Sequence, residues 1–516
     1  MFADRRSTPA FWLGSLAVVI GVLLHLPMFL MARKMNYMMA GMPMDTGMLW
    51  GMAFIIGGCA AAAYGLQPKA ASIHAMGAHE RIAAPEDAQL TRWHWAAGVA
   101  LAIALVIDIM KPASLGFVTP GMQVEYGIGK AMVALLPFSA LVGTALGSFV
   151  WGVLADLYGR RATLLLSAVM FIGTSICGAM PSFWWNLFMC FLMGAAAGGM
   201  LPVAYALLAE IMPTRHRGWS LVMVGGIGAV GGYLAASGLS ALLQPIFGWR
   251  IMWFLNLPSG LILIGLSAFI PESARFLMHI GRPEEARATL ARFGSVVVTK
   301  TEDWDEEAKL DHSRLPPVDK RYLGTTVALT VAALSWGFVN FGLLLWLPGD
   351  LMAEGRDMGV AAAIIARSSL IAVPVVAVAA YLYSAWSTKG SLMVMLGAMA
   401  LGLAMVMLRQ SGVPMFSNPV LPVTLLILGS TGVISILLPY SAENYPLRIR
   451  GRATGWVAGC SKSGGLLCQG LSVMAAVPVL GVAAIAIGIP VLLGFGLIAV
   501  YGHETRGRDL RDLEMS

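Results

Sequence analysis

Charge is scarce in this chain. Asp, Glu, Lys and Arg make up 12% of its 516 residues, about half the share found in an average soluble protein, so there are too few ionised groups to face water. Large soluble domains are excluded on that ground. Cysteine is scarce too. Cys59, Cys177, Cys190, Cys460 and Cys468 lie inside apolar segments without C-x-x-C spacing, which speaks against a disulfide framework and against a zinc site. The eight histidines are scattered and none sits at a metal-binding spacing. No catalytic constellation marks an integral-membrane enzyme. No basic run is interleaved with aromatics, so the net charge of +7 does not indicate nucleic-acid binding.

Apolar sequence fills the chain instead, at 58% hydrophobic residues and a mean hydropathy of +0.77. A helix crossing a bilayer needs about 20 apolar residues. Fourteen runs of that length follow one another between residues 9 and 502. The first, after Arg5 and Arg6, begins like a signal peptide, but it is long and no small-residue cleavage site follows. It is expected to remain as a helix.

With the N-terminus cytoplasmic, 25 of the 34 Lys and Arg fall in loops on that side, six fall opposite and three lie within the membrane. This asymmetry fixes the orientation, with both termini cytoplasmic. The one long polar stretch, 271–322, separates six helices from another six. The two halves repeat. Ala209-Glu210-Ile-Met-Pro213-Thr-Arg215-His-Arg217-Gly218 recurs as Ala442-Glu443-Asn-Tyr-Pro446-Leu-Arg448-Ile-Arg450-Gly451, with six identities in ten. Pro271-Glu272-Ser273 has a weaker counterpart in His503-Glu504-Thr505. The fold expected is therefore all-α and polytopic, a twelve-helix core of two six-helix halves plus two extra N-terminal transmembrane helices. Its parts are a Met-rich hairpin at 1–70, a cytoplasmic linker at 71–92, a first half at 93–270, a cytoplasmic loop at 271–322 and a second half at 323–516. Internal repeats of this kind are typical of secondary transporters, whose site lies near the midplane between the halves.

Gly152-Val-Leu154-Ala-Asp156-Leu-Tyr-Gly159-Arg160-Arg161 resembles the loop signature of the major facilitator superfamily. Pro271-Glu272-Ser273-Ala-Arg275-Phe-Leu277 and the tail Glu504-Thr505-Arg506-Gly507 resemble elements of its sugar-porter branch and of related metabolite and aromatic acid:proton symporters. The resemblance covers residues 93–516. It implies alternating access, with Asp156, Gly159, Arg160 and Arg161 in a cytoplasmic gate. Positive-inside anchoring is the plainer reading of the two arginines. Glu210 with Arg217, and Glu443 with Arg450, are expected to latch the two halves in the same way, the plainer reading being helix-end charge.

Charge inside a membrane is costly and usually functional. Asp108 and Lys111 are three residues apart, on one helical face where they can pair; either a fixed structural pair or a proton carrier fits them. Arg367 and Lys462 are cations far into their helices. One acid and three bases leave excess positive charge that an anionic substrate such as a carboxylate would satisfy, and Arg367 offers bidentate geometry. Arg367 reaching the outer surface is the alternative. Trp336 and Asn340, in Ser335-Trp336-Gly-Phe-Val-Asn340, would suit an aromatic or small organic acid.

Departures from the family pattern sharpen this reading. The arginine of the fourth-helix R-x-x-x-G element is Cys190, which weakens the case for proton coupling. The fifth helix lacks the Gly-Pro step of drug antiporters, and the paired glutamines of sugar porters are missing from the seventh. Drug efflux and hexose transport are disfavoured.

Met35, Met38, Met39, Met42, Met44, Met48 and Met52 crowd the N-terminal hairpin. Thioethers favour soft ions such as Cu(I), but methionine also packs irregular apolar surface, and packing is the preferred reading. The function expected is secondary active transport of a small organic acid, aromatic acids included, with protons. The proton gradient supplies energy, and neither cofactor nor bound metal is required. The partners expected are a small-molecule substrate and the lipid bilayer, without nucleic acid. The protein is expected to act as a monomer in a bacterial inner membrane. The alternatives are a soft-metal or other metabolite transporter using the Met hairpin, and a non-transporting sensor on the same scaffold.

Overall fold

A computed structural model describes residues 7–67, 80–82, 89–294, 297–299 and 320–506, apart from 446 and 477. Most of the 71–92 linker lies outside the described residues, as do 295–296 and 300–319 of the 271–322 loop and the side chain of Arg450.

Lipid offers no hydrogen-bond partner to a backbone amide, so spanning segments must satisfy themselves as helices, and the described apolar runs do so. Helices α1 (Ser7–Leu23) and α2 (Thr46–Leu66) form the N-terminal hairpin. The first half comprises α3 (Arg92–Tyr126), α4 (Leu135–Tyr158), α5 (Arg160–Gly173), α6 (Phe183–Ala197), α7 (Met200–Ile211), α8 (Thr214–Phe247) and α9 (Asn256–Leu266). Two short helices, α10 (Ala274–His279) and α11 (Pro283–Arg292), open the long loop. The second half comprises α12 (Leu323–Gly337), a π-helical segment Phe338–Leu343, α13 (Leu344–Ala353), α14 (Met358–Tyr381), α15 (Thr388–Gln410), α16 (Val420–Glu443), α17 (Leu447–Val473) and α18 (Leu480–Tyr501). The only β structure among the described residues is a three-residue antiparallel pairing of β1 (Glu80–Ile82) with β2 (Val297–Thr299), which sets Arg81 opposite Val298.

Twelve of the described helical stretches are long and apolar enough to cross a membrane. The other two of the fourteen apolar runs are also helical. Ile251–Leu266 is shorter, and α17 is long but carries Arg448, Arg450, Arg452 and Lys462.

Buried side chains form two clusters. One joins hairpin residues Phe11, Val18 and Ile55 to Leu101, Phe171 and Phe254 of the first half. The other joins Met110, Phe117, Leu141 and Tyr233 of the first half to Trp336, Leu345 and Tyr440 of the second. The hairpin is thus continuous with the first half's core, whereas the second cluster is the seam between the halves, where α8 packs on α14 and α4 on α17. Within the hairpin, glycine permits the close approach: a Cβ on Gly14 would sit 2.6 Å from the Gly58 carbonyl oxygen, and one on Gly51 would sit 2.7 Å from that of Gly21. Small residues at such crossings are how helices associate without a hydrophobic driving force. Met39 and Met48 are fully buried in this packing, while Met35 and Met38 are exposed.

Candidate functional site

Asp108 and Lys462 meet at the seam between the halves. Asp108 and Lys111 lie on α3 just before and just beside Pro112. A proline has no N–H for the carbonyl four residues back, so the backbone oxygen of Asp108 loses its helical donor. Both side chains are buried. The fixed ion pair that their spacing allowed is not formed. Lys111 turns instead toward α9, where its ammonium donates to Asn256 Oδ1 and, at 2.7 Å, to Ser259 Oγ. Asn256 in turn donates from Nδ2 to Thr174 Oγ1 at 3.1 Å. A neutral hydroxyl and amide hold the ammonium in place because α9 presents them directly opposite. Asp108 Oδ1 is left buried without a hydrogen-bond partner among the described residues.

The charge facing Asp108 from the other half is Lys462 of α17, and both lysines act on the carboxylate electrostatically. The Lys462 ammonium lies 5.1 Å from the centre of the Phe341 ring, a cation–π arrangement. Phe341 in turn meets Trp336 edge to face at 5.4 Å. Trp336 Nε1 donates to the Ser430 carbonyl at 2.8 Å. Asn340, in the π-helical segment, accepts from the Tyr233 hydroxyl at both its backbone oxygen (3.0 Å) and Oδ1 (3.1 Å), a contact that crosses from the first half to the second. π-Helical turns inside α-helices often mark functional sites. Four of the six candidate pathway residues, Asp108, Trp336, Asn340 and Lys462, therefore lie at the seam, while Lys111 is turned into the first half.

Arg367 does not join them. It is exposed on α14, on the helical face that also presents exposed Val360, Leu370, Ile371 and Val378. At the end of α3 nearer Tyr126 the halves close on each other: a Cβ on Gly116 would lie 3.0 Å from the Leu345 carbonyl oxygen. Only about 10 Å³ of cavity remains there, among Pro112, Leu141, Phe341 and Leu345.

The loop-bearing face holds the gating candidates. Arg160 Nη1 pairs with Asp156 Oδ1 at 2.9 Å, and its Nη2 lies 3.7 Å from Glu210 Oε1. Glu210 was expected to pair with Arg217. Its partners are instead Arg160 and Ser273, whose hydroxyl donates to Oε2 at 2.5 Å, while Arg217 Nη2 reaches the Met212 carbonyl at 3.5 Å. Glu210 ends α7 facing the α4–α5 turn, which brings Arg160 to it from another part of the chain. Gly159 has φ 95°, a conformation that side chains resist, and a Cβ there would lie 2.6 Å from Glu272 Oε2.

Glu272 is central to this junction and was missed as a site residue. Its Oε1 accepts from the backbone N–H groups of Arg160 (2.6 Å), Arg161 (3.2 Å) and Ser273 (3.0 Å), so it sits on the N-terminus of α5, where the helix dipole favours an anion. Burial pushes its pKa up, and those amide bonds only partly oppose the shift.

Glu504 plays the same part in the second half. It accepts from the Thr388 amide at 2.9 Å and hydroxyl at 2.7 Å, and from the Ser387 hydroxyl, at the N-terminus of α15. Partial burial acts to raise its pKa, but the bonds from Ser387, Thr388 and Arg506 prevail and hold it down to about 2. The weak repeat of Glu272-Ser273 in Glu504-Thr505 was the sequence signal for this shared role. Glu443, the counterpart of Glu210, accepts from the Tyr383 hydroxyl at 2.7 Å and the Thr505 hydroxyl at 2.6 Å. The position matching Asp156 is Ser384, so the acid that pairs with Arg160 in the first half has no counterpart in the second. The expected partner, Arg450, lies outside the described side chains.

Known proteins agree with this architecture. Residues 101–468 match the family model of the Major Facilitator Superfamily. The chain is 23% identical over 435 residues to the niacin transporter of Acinetobacter baylyi, covering 83% of this chain and 98% of that one. It is 27% identical over 400 residues to the 4-hydroxybenzoate transporter of the same organism, covering 73% and 84%. Among solved structures, the proton:xylose symporter XylE bound to 6-bromo-6-deoxy-D-glucose superposes with a TM-score of 0.64 at 17% identity, covering 82% of this chain and 98% of that one. The chain belongs to the major facilitator superfamily, as an integral-membrane transporter rather than an enzyme.

Proposed function

We propose that the protein is a secondary active transporter that moves a small organic acid, preferably an aromatic monocarboxylate, together with protons. The observation that carries this reading is the arrangement at the seam: a buried carboxylate, Asp108, with one oxygen unpartnered, flanked by Lys111 from its own half and Lys462 from the other. With Asp108 ionised the group has one net positive charge. A proton on Asp108 releases Lys462 to attract a substrate carboxylate, so proton and anion enter together and the site is never left with two uncompensated cations. Because Lys462 and Asp108 belong to different halves, the same charge balance governs how the halves close. Trp336 and Phe341 supply an aromatic wall beside Lys462, which suits a flat ring. The relatives named as niacin and 4-hydroxybenzoate transporters support an aromatic acid. The positive-inside asymmetry supports an orientation with the Arg160–Glu272 face and both termini in the cytoplasm of a bacterial inner membrane.

The test is uptake of radiolabelled nicotinate, 4-hydroxybenzoate and benzoate into proteoliposomes under an imposed pH gradient, in wild type and Asp108→Asn. Gradient-driven accumulation of one acid, abolished in Asp108→Asn while gradient-independent exchange persists, is the expected result. Wild-type uptake indifferent to the gradient would overturn the coupling, and no uptake of any acid would overturn the substrate class.

A further inference from the structure

On the loop-bearing face, away from the seam, a cavity of about 240 Å³ opens between the end of the hairpin, the start of α3, the α4–α5 turn and helices α10 and α11. Its walls include Gln67, Trp93, Tyr158, Arg161, Glu272 and Arg292. One wall, Gly65 to Gln67, comes from the hairpin and lies before the stretch that matches the family model.

The charges lining it do not balance. Arg282 is paired with Glu285, and Glu272 is committed to the backbone amides of α5. That leaves Arg161 and Arg292, neither of which forms an ion pair among the described residues. Arg161 Nε is buried without a hydrogen-bond acceptor among the described residues; Glu272 attracts its guanidinium from beyond ion-pair distance, and Arg292 acts on it as a like charge. The Arg292 guanidinium is 5.4 Å from the centre of the Trp93 ring, which supports its plane and leaves its edge donors free. Gln67 Nε2 donates to the Tyr158 hydroxyl at 3.4 Å, so the phenol's own proton is available on the cavity side.

We propose that this cavity binds a phosphate group. Two forked guanidiniums match the several oxygens and the charge of a phosphate, and a hydroxyl supplies a further donor. Arg161 and Trp93 stand at the ends of membrane-crossing helices, a level reached both by lipid headgroups and by soluble phosphates. Phosphate held there ties α11 to α5 next to the Arg160–Glu272 junction.

The experiment follows the unfolding temperature of the full chain in a phosphate-free maltoside detergent. One arm titrates inorganic phosphate; the other adds phosphatidic acid, with diacylglycerol as the phosphate-free control. A saturable rise with inorganic phosphate, or with phosphatidic acid but not diacylglycerol, is expected, and which of the two acts identifies the source. Arg292→Gln, at an exposed position remote from the seam, should weaken the apparent affinity at least tenfold while Arg292→Lys keeps most of it and both variants still transport. No saturable rise in either arm, or the same affinity in Arg292→Gln as in wild type, would overturn the proposal.

Discussion

Glu125 and Arg250 form a buried ion pair, Oε1 to Nη2 at 2.6 Å, with both side chains almost wholly closed to solvent. Arg250 also donates to the carbonyls of Gly178 (3.2 Å) and Met180 (2.8 Å) and to the Tyr126 hydroxyl (3.0 Å). Glu125 accepts from Trp249 Nε1 at 2.8 Å and from the backbone amides of Met39 (2.6 Å) and Ala40 (2.9 Å). The connection of the hairpin is thereby bonded to a fully satisfied ionic junction of the first half, and Phe29 packs on Phe254 at 4.7 Å beside it. This attachment ties the connection of the hairpin to the first half and accounts for the burial of Met39 through packing.

Removing one member of that pair should be costly. Glu125→Gln strands the Arg250 charge, and breaking a buried pair from one side typically costs about 3–5 kcal/mol. The expected result is a marked fall in the thermal unfolding midpoint in detergent, with proteolytic cleavage in the 32–45 connection appearing before cleavage elsewhere. An unfolding midpoint equal to wild type would show that the hairpin is held by its apolar contacts alone.

Gly159→Ala should damage the α4–α5 turn twice, through a φ of 95° and through contact with Glu272. Strain of this kind costs on the order of 1–3 kcal/mol. Transport should fall at least tenfold with the protein still inserted, as read by initial uptake rates normalised to the amount in the membrane. Wild-type rates would mean that the turn can relax without disturbing the gate.

Glu504 and Glu272 should differ in the sign of their pH dependence. Glu504 is held at about 2, below its ordinary 4.5, so the stability it adds is fully present above pH 4.5 and is lost as pH falls toward 2. Glu272 is shifted upward, so its contribution is greatest at low pH and declines as pH rises through its folded value. Unfolding midpoints measured from pH 3 to 7 should show the gap between wild type and Glu504→Gln narrowing toward acid. A gap that stays constant over that range would remove Glu504 from the account.

Tyr233→Phe deletes the hydroxyl that reaches Asn340 across the seam. A lost hydrogen bond of this kind is worth about 1 kcal/mol, enough to change the balance between access states about fivefold while the fold persists. Uptake and counterflow rates should change in opposite directions, since the contact favours one arrangement of the halves. Equal effects on both rates would show that the bond contributes only to stability.

Lys462→Gln should raise the KM for the transported acid by tenfold or more and leave the unfolding midpoint close to wild type, because the ammonium has no hydrogen bond or ion pair to lose among the described residues and rests on the Phe341 ring. Lys111→Gln should lower the midpoint instead, since Lys111 is closed from solvent and bonded to Asn256 and Ser259. A reversal of the two effects would exchange the roles of the lysines.

Much of this protein was legible in local pattern. Apolar runs cut by charge become helices because the bilayer permits little else, and the Glu210 and Glu443 segments repeat because the two halves are built alike. The glycine at 159 was visible for the same reason, as a turn position followed by two arginines. What the tertiary structure alone decided was partnership. Lys111 bonds Asn256 rather than Asp108, Glu210 takes Arg160 rather than Arg217, Lys462 faces Asp108 from the other half, and Arg367 stands apart on an exposed face. A helix period places residues three or four apart on one side, but the side chain met there depends on the rotation and depth of a neighbouring helix contributed by a distant part of the chain. That rotation is set by the packing of small residues and kinks over whole helices, and no local spacing encodes it.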